Sequence, residues 1–219
     1  MPPVAGVAQG AMVLQDTVFP ELTIDRLEKV TKPKVDGSVY LDQIFDHQAL
    51  EFFVFFSSVA YLAGNAGQSA YSAANAFMAS LAARRRSRGL AASIIHLGAV
   101  VGVGYVTREL TPEKQQALHQ AGYLFLSEQD FLEVFAEGVL ASRPGDDHGF
   151  EISTGLRLEG SGQDKAVKWA SNPMFQHLVL TPDELGAVGA MSQSTAVSVR
   201  AQLSNATTSE QQFEVLKGE

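Results

Sequence analysis

The chain has 219 residues, 46% of them hydrophobic and 18% charged, a balance that suits a globular domain with a tail or two small domains and excludes a wholly disordered or coiled-coil chain. A net charge of -8 argues against a nucleic-acid surface, and the absence of cysteine removes disulfide frameworks, thiolate metal sites and cysteine catalysis together. A reducing, cytoplasmic compartment is expected; the first residues carry no basic stretch ahead of an apolar run, and no segment has the length and apolarity of a membrane span.

Residues 4–14, VAGVAQGAMVL, are apolar with small residues interspersed and read as a buried parallel strand leaving through a loop. Leu22, Leu27, Val30, Val35, Val39, Leu41 and Ile44 then recur at helical spacing, with Pro33 expected to bend or restart the helix. The run LEFFVFFSS is short and aromatic, as in a strand buried on both faces. Ala70 to Arg88 reads as an alanine-rich helix stopped by Gly89. The cluster Arg84, Arg85, Arg86 and Arg88 at its end reads as a solvated face that complements the helix dipole.

Leu90 to Leu97, LAASIIHL, reads as another buried strand, followed by the glycine-rich GAVVGVG. Thr111 to Ala121 and Ser127 to Leu140 read as helices capped by Thr111 and Ser127, the second amphipathic. FEISTGLRL is expected to be a last strand after the turn-like RPGDDHG, whose Asp146 and Asp147 read as turn formers. Alternating strands and helices imply an α/β fold built on a parallel sheet. Beyond residue 160 glycine, serine, threonine and glutamine dominate, so 160–196 reads as a linker, and helical patterning resumes from Val197.

In an open parallel sheet ligands collect beyond the carboxyl ends of the strands, which is where Ser57 and Ser58 fall. Tyr71 and Asn75, four apart, share a face of the helix that follows. A serine hydroxyl and a tyrosine phenol converging on one carbonyl oxygen suit reduction, one donating a hydrogen bond and the other a proton as hydride arrives. A tyrosine with a pKa of about 10 needs a nearby cation for this task. The usual short-chain dehydrogenase pattern places a lysine four residues after the tyrosine, but here that position is Asn75.

The stretch FFSSVAYLAGNAGQSAYSAANAFMASLAARRRSRGLAASIIHLGAVVGVG resembles the ketoreductase domain of modular polyketide and fatty acid synthases. In that subfamily the lysine and asparagine exchange places, and the lysine comes from the preceding helix in a segment like KPKVDGSVYL, which maps to Lys34. The resemblance implies Tyr71 as proton donor, Ser58 as the donor orienting the carbonyl, Lys34 as the cation tuning Tyr71 and touching the cofactor ribose, and Asn75 as its positioning partner. Lys34, Tyr71, Gly98, Ala99 and Val100 would border NADPH, and no metal is implied.

The wording is most similar to highly reducing synthases of filamentous fungi, including those fused to a peptide synthetase. It implies three parts. Residues 1–159 would be the C-terminal half of a Rossmann-like doubly wound sheet, 160–196 a linker, and 197–219 the start of a helical acyl carrier domain. The implied activity is NADPH-dependent reduction of the β-keto group of a carrier-bound polyketide thioester, with the carrier's phosphopantetheine-linked chain and an N-terminal half-domain as partners. No strand, glycine-rich loop and helix unit for the pyrophosphate is found in the sequence. The alternative is an inactive fragment. Leu14, Gln15 and Asp16 stand where ketoreductases often carry LDD, and Gln15 departs from it, leaving alcohol stereochemistry open. Tyr61 reads as a packing residue, and Tyr105 and Tyr123 flank an expected lid, where packing is favoured over substrate contact.

Overall fold

The computed structural model describes residues 3–47, 49–145, 149–157, 159–160, 167–181 and 183–184. It divides into two compact units, residues 1–157 and 158–219. The turn residues Asp146 and Asp147 and the expected carrier-domain start at 197–219 lie outside the described residues.

In the first unit, strand β1 (Gly6–Gln9) leads to helices α1 (Ile24–Thr31) and α2 (Val35–Ile44). Pro33 falls in the turn between these helices, where its missing N–H and fixed φ interrupt a helix that would otherwise be continuous. Strand β2 (Phe52–Ser58) follows, then the short α3 (Val59–Ala63) and the long α4 (Ser69–Ser87). Gly89 ends α4 at φ 73°, the left-handed conformation that favours glycine. Strand β3 (Ser93–Leu97), the short β4 (Ala99–Val100), α5 (Gly104–Glu109), α6 (Pro112–Gln120), β5 (Phe125–Leu126), α7 (Glu128–Ala141) and β6 (Glu151–Ser153) complete the unit.

The main sheet is entirely parallel in the order β1-β2-β3-β6, with Phe55 opposite Ile94 and Ser57 opposite His96. Alternation along β2 and β3 divides the core. Phe53, Phe55 and Ile94 pack with Met78, Leu81 and Ala82 of α4 and with Leu41 and Phe45 around α2. On the other face Phe52 and Phe56 meet Phe131 and Phe135 of α7. Helix α7 lies close to the sheet because position 138 is glycine: a Cβ there would sit 2.6 Å from Ile95 Cδ1. Ser142, just after α7, pins this helix to β2 by accepting from the Phe53 N–H at 2.8 Å and donating to the Phe53 carbonyl at 3.3 Å. The layers are therefore helix, parallel sheet, helix.

Three local expectations change. The basic cluster is not a solvated face throughout, because Arg85 is completely buried. Its guanidinium bonds Asp42 at 2.6 Å and the Ala91 carbonyl at 3.1 Å, and stacks 4.2 Å above the Phe53 ring. A delocalised guanidinium can meet an anion, a carbonyl and a ring face at once, here with Nη2 left without a partner among the described residues, and a count of positive charges does not reveal such a site. The expected strand FEISTGLRL is regular only over Glu151–Ser153. Gly155, at φ 75°, turns the chain where its backbone meets Gly98. Finally, α5 forms in a glycine-led segment with no helical signature.

In the second unit, β7 (Glu159–Gly160) pairs in parallel with β8 (Val179–Leu180), and the chain between includes 3-10 helices at Lys168–Ser171 and Pro173–Leu178. Within the span expected to be a linker, Trp169 and Phe175 are thus buried and meet edge to face at 5.7 Å. Two large rings hide enough apolar surface to order short helices that have no amphipathic period.

Candidate active site

Three segments converge at the carboxyl end of the parallel sheet. Ser58, the last residue of β2, adopts an extended backbone and caps α3, its Oγ accepting from the Ala60 N–H at 3.2 Å. With that lone pair engaged, the hydroxyl proton is left to donate. Tyr71 enters from the first turn of α4 and is 7% exposed, packed with Val30, Ala70, Leu14, Leu22 and Leu27. Lys34 stands at the junction of α1 and α2 and is 2% exposed. Asn75, one turn below Tyr71, is completely buried.

Burial raises the Tyr71 phenol above its ordinary pKa of 10.0; hydrogen bonds from Asn75 and Ser58 oppose this, and the negative charge of Asp16 adds to it. The phenol is therefore held as a proton carrier near neutrality. Its O–H donates to Met12 Sδ at 3.5 Å, a weak acceptor on a side chain that is itself exposed. Lys34 Nζ donates to the Phe56 carbonyl at 2.7 Å and lies 5.3 Å from the centroid of the Tyr71 ring, over its face. Desolvation lowers its pKa to about 8. Asn75 Nδ2 donates to the Tyr71 carbonyl at 3.0 Å, and Oδ1 is buried with no hydrogen-bond partner among the described residues.

Tyr71, Ser58, Lys34 and Asn75 are thus brought together. Gly98, Ala99 and Val100 lie on the neighbouring strand end and are partly exposed. Their local roles are structural: Gly98 donates its N–H to Thr154 Oγ1 at 3.1 Å, a Cβ on it would sit 2.7 Å from Gly155 Cα, and Ala99 and Val100 pair with Phe125 and Leu126. Among the described residues Lys34 has no carboxylate partner, and its ammonium beside the Tyr71 phenol offers donors of the kind that fit the ribose hydroxyls of a nicotinamide nucleotide.

Met12, Thr17 and Gln68 are neighbours of the site that the sequence did not single out. Met12 was unremarkable in an apolar run. Asp16 accepts from Gln68 Nε2 at 3.1 Å, and the Thr17 N–H donates to the Gly67 carbonyl at 2.8 Å, so the loop after β1 is tied to the loop before α4. Asp16 also raises the Tyr105 phenol, second to burial. The polar run AGQSAY leading into α4 was the signal available for Gln68. Tyr123 is buried and donates to the Gly64 carbonyl at 3.5 Å, while the Tyr61 ring lies 5.3 Å from that of His96. A cavity of about 260 Å³ bordered by Asp46, His47, Leu50 and Ala91 lies at the opposite end of the sheet. Among the described residues no cluster of three or more His, Asp or Glu side chains is placed to hold a metal ion, and no helix is long and apolar enough to cross a membrane.

Residues 1–102 match the family model described as KR domain. The chain is 52% identical over 217 residues to a polyketide synthase-nonribosomal peptide synthetase of Phaeosphaeria nodorum, and 52% over 217 residues to one of Aspergillus flavipes. Both alignments cover 99% of this chain and 5% of the relative, so the chain spans about 5% of the length of the curated relatives it matches. Among solved structures it resembles A-type ketoreductases from a modular polyketide synthase, at 30% identity and a TM-score of 0.62, covering 70% of this chain and 31% of that one. The first ketoreductase of the tylosin polyketide synthase gives 31% identity and a TM-score of 0.57, covering 69% of this chain and 32% of that one. Residues 1–102 thus match the KR domain family, and the structural neighbours of the chain include ketoreductases of polyketide synthases.

Proposed function

We propose that this chain is the catalytic portion of an NADPH-dependent β-ketoacyl reductase, acting in the cytoplasm on an acyl chain held as a thioester on a carrier protein within a multidomain polyketide synthase. The observation that carries the reading is the protonated, buried Tyr71 beside the Ser58 hydroxyl, with Lys34 over the same ring. Ser58 would donate a hydrogen bond to the β-keto oxygen and fix its direction. Tyr71 O–H would turn from the weak Met12 acceptor to the same oxygen and deliver its proton as negative charge develops there. Lys34, still charged below a pKa of about 8, would stabilise the phenolate left behind. Asn75 holds the first turn of α4 through the Tyr71 carbonyl and so fixes the phenol's origin. When bound, NADPH supplies the hydride to the carbonyl carbon; Lys34, Tyr71 and the Gly98–Val100 turn would hold its nicotinamide end.

The carrier-bound substrate is inferred from the relatives, which are named as polyketide synthase-nonribosomal peptide synthetases. The partners proposed on the same ground are an acyl carrier domain and an N-terminal half of the ketoreductase domain. Replacement of Tyr71 by Phe in the full-length protein carrying this chain should lower β-keto reduction by about 10²- to 10⁴-fold with an unchanged thermal melt. Undiminished reduction by that variant would refute the reading.

A second reading, that the chain alone has no independent activity, is favoured by β1 lying at the edge of the main sheet while Val4, Val18 and Phe19 are exposed. Titrating the isolated chain with NADPH separates the two: saturable binding supports activity of the chain alone, and no binding supports the second reading.

A further inference from the structure

His96 is completely buried in β3 and takes no part in the proton transfer assigned to Tyr71. Its Nδ1 lies 2.9 Å from Ser57 Oγ, and its Nε2 lies 2.6 Å from Glu151 Oε1. Ser57 and His96 are paired positions of β2 and β3, and Glu151 lies two residues before the β6 partner of His96, so strand alternation puts all three on one face of the sheet. An ionised carboxylate can only accept, which places the ring proton on Nε2 and leaves Nδ1 to accept from the Ser57 hydroxyl. Burial lowers the imidazole pKa below its ordinary 6.5 against the opposing pull of Glu151, consistent with a neutral ring in this tautomer. The order serine, histidine, carboxylate resembles a nucleophilic triad, but Ser57 is 4% exposed and offers no open side to an acyl group.

The backbone of His96 extends the connection. Its carbonyl accepts from both the N–H and the Oγ1–H of Thr154, at 3.1 and 3.2 Å, and Thr154 Oγ1 accepts from the Gly98 N–H. One residue therefore ties together the end of β2 that carries Ser58, the end of β3 that leads into Gly98–Val100, and the turn after β6. Ser57 immediately precedes Ser58, and the carbonyl of Phe56, one residue earlier, receives Lys34.

We propose that Ser57, His96 and Glu151 form a positioning relay that holds the Ser58 hydroxyl and the Gly98–Val100 turn in register for reduction. This rests on the ketoreductase reading of Ser58 and Tyr71. The relay acts on geometry, so its loss should appear in kcat. Glu151 has a side chain 45% exposed, which makes its variants suitable probes.

The test measures kcat and KM for β-keto reduction in the full-length protein carrying this chain, with circular dichroism melts as a control. Glu151→Ala and Ser57→Ala should each lower kcat by about tenfold or more, because small misplacements of reacting groups carry penalties up to about hundredfold. KM should stay within about twofold, and the double variant should be no worse than the poorer single one, as expected of residues acting as a unit. Glu151→Gln, which keeps an oxygen to accept from Nε2–H, should restore most of the rate. A kcat within twofold of wild type in both alanine variants, a change confined to KM, or a loss that only tracks the unfolded fraction would overturn the relay. Tyr71→Phe, run alongside, separates the two claims. If it leaves reduction intact the ketoreductase reading fails; if it abolishes reduction while the alanine variants are unaffected, only the relay falls.

Discussion

Arg85 and Lys34 are both buried cations of the first unit, but among the described residues only Arg85 has an anion. Arg85 meets Asp42 at 2.6 Å, and Arg88 joins the same carboxylate at 3.1 Å and Asp46 at 2.6 Å. Lys34 has a peptide carbonyl and the face of an aromatic ring, and its affinity for a proton falls accordingly to about 8. A charge taken from water without an opposite charge is costly; under the proposed reading Lys34 is retained for chemistry, whereas the paired Arg85 is accounted for by its partner. Arg85 lies where α4 ends and anchors the helix to α2 and to the chain entering β3. Lys34 lies at the other end of the sheet, among Ser58, Tyr71 and Asn75.

Replacing each cation's support separates these roles. Lys34→Met removes the buried charge and keeps the apolar stem; reduction should fall by about 10²-fold or more while stability changes by less than about 1 kcal/mol, since buried ions exchanged for apolar groups are often neutral for stability. Retained activity in a kinetic assay would place Lys34 with the structural cations. Asp42→Ala leaves the Arg85 guanidinium buried without its anion and should cost about 3–5 kcal/mol in a urea titration. A cost below about 1 kcal/mol would mean the pair is no anchor. Arg88→Ala removes a partner that is 29% exposed and should cost less than about 1 kcal/mol by the same titration. A larger loss would show that Asp42 depends on both arginines.

The same contrast explains what the sequence disclosed. Strand β2, helix α4 and strand β3 were legible because an aromatic run, an alanine-rich helix stopped by Gly89 and a second apolar run each have one physical solution. The division of α1 from α2 was legible in Pro33. Ser58, Tyr71 and Asn75 were legible from their place at a strand end and on one face of the next helix, while Lys34 emerged only from family spacing, since a lone lysine on another element has no local pattern of its own. Arg85 was hidden among neighbouring arginines, because burial depends on an aspartate 43 residues away. His96 was hidden because its partners lie 39 and 55 residues off, joined only by strand register. The helices around Trp169 and Phe175 were hidden because two rings, not a periodic face, order them.

Whether Lys34 is kept unpaired to serve Tyr71 is read from the pH dependence of β-keto reduction. Burial lowers the Lys34 pKa, so the cation is present below about 8 and lost above it, while the raised Tyr71 phenol stays protonated across the same range. In the full-length protein kcat/KM should be level below pH of about 8 and decline as pH rises through it, approaching about tenfold per unit, with this limb absent in Lys34→Met. A wild-type rate that stays level to about pH 10, or a decline that survives in Lys34→Met, would contradict it.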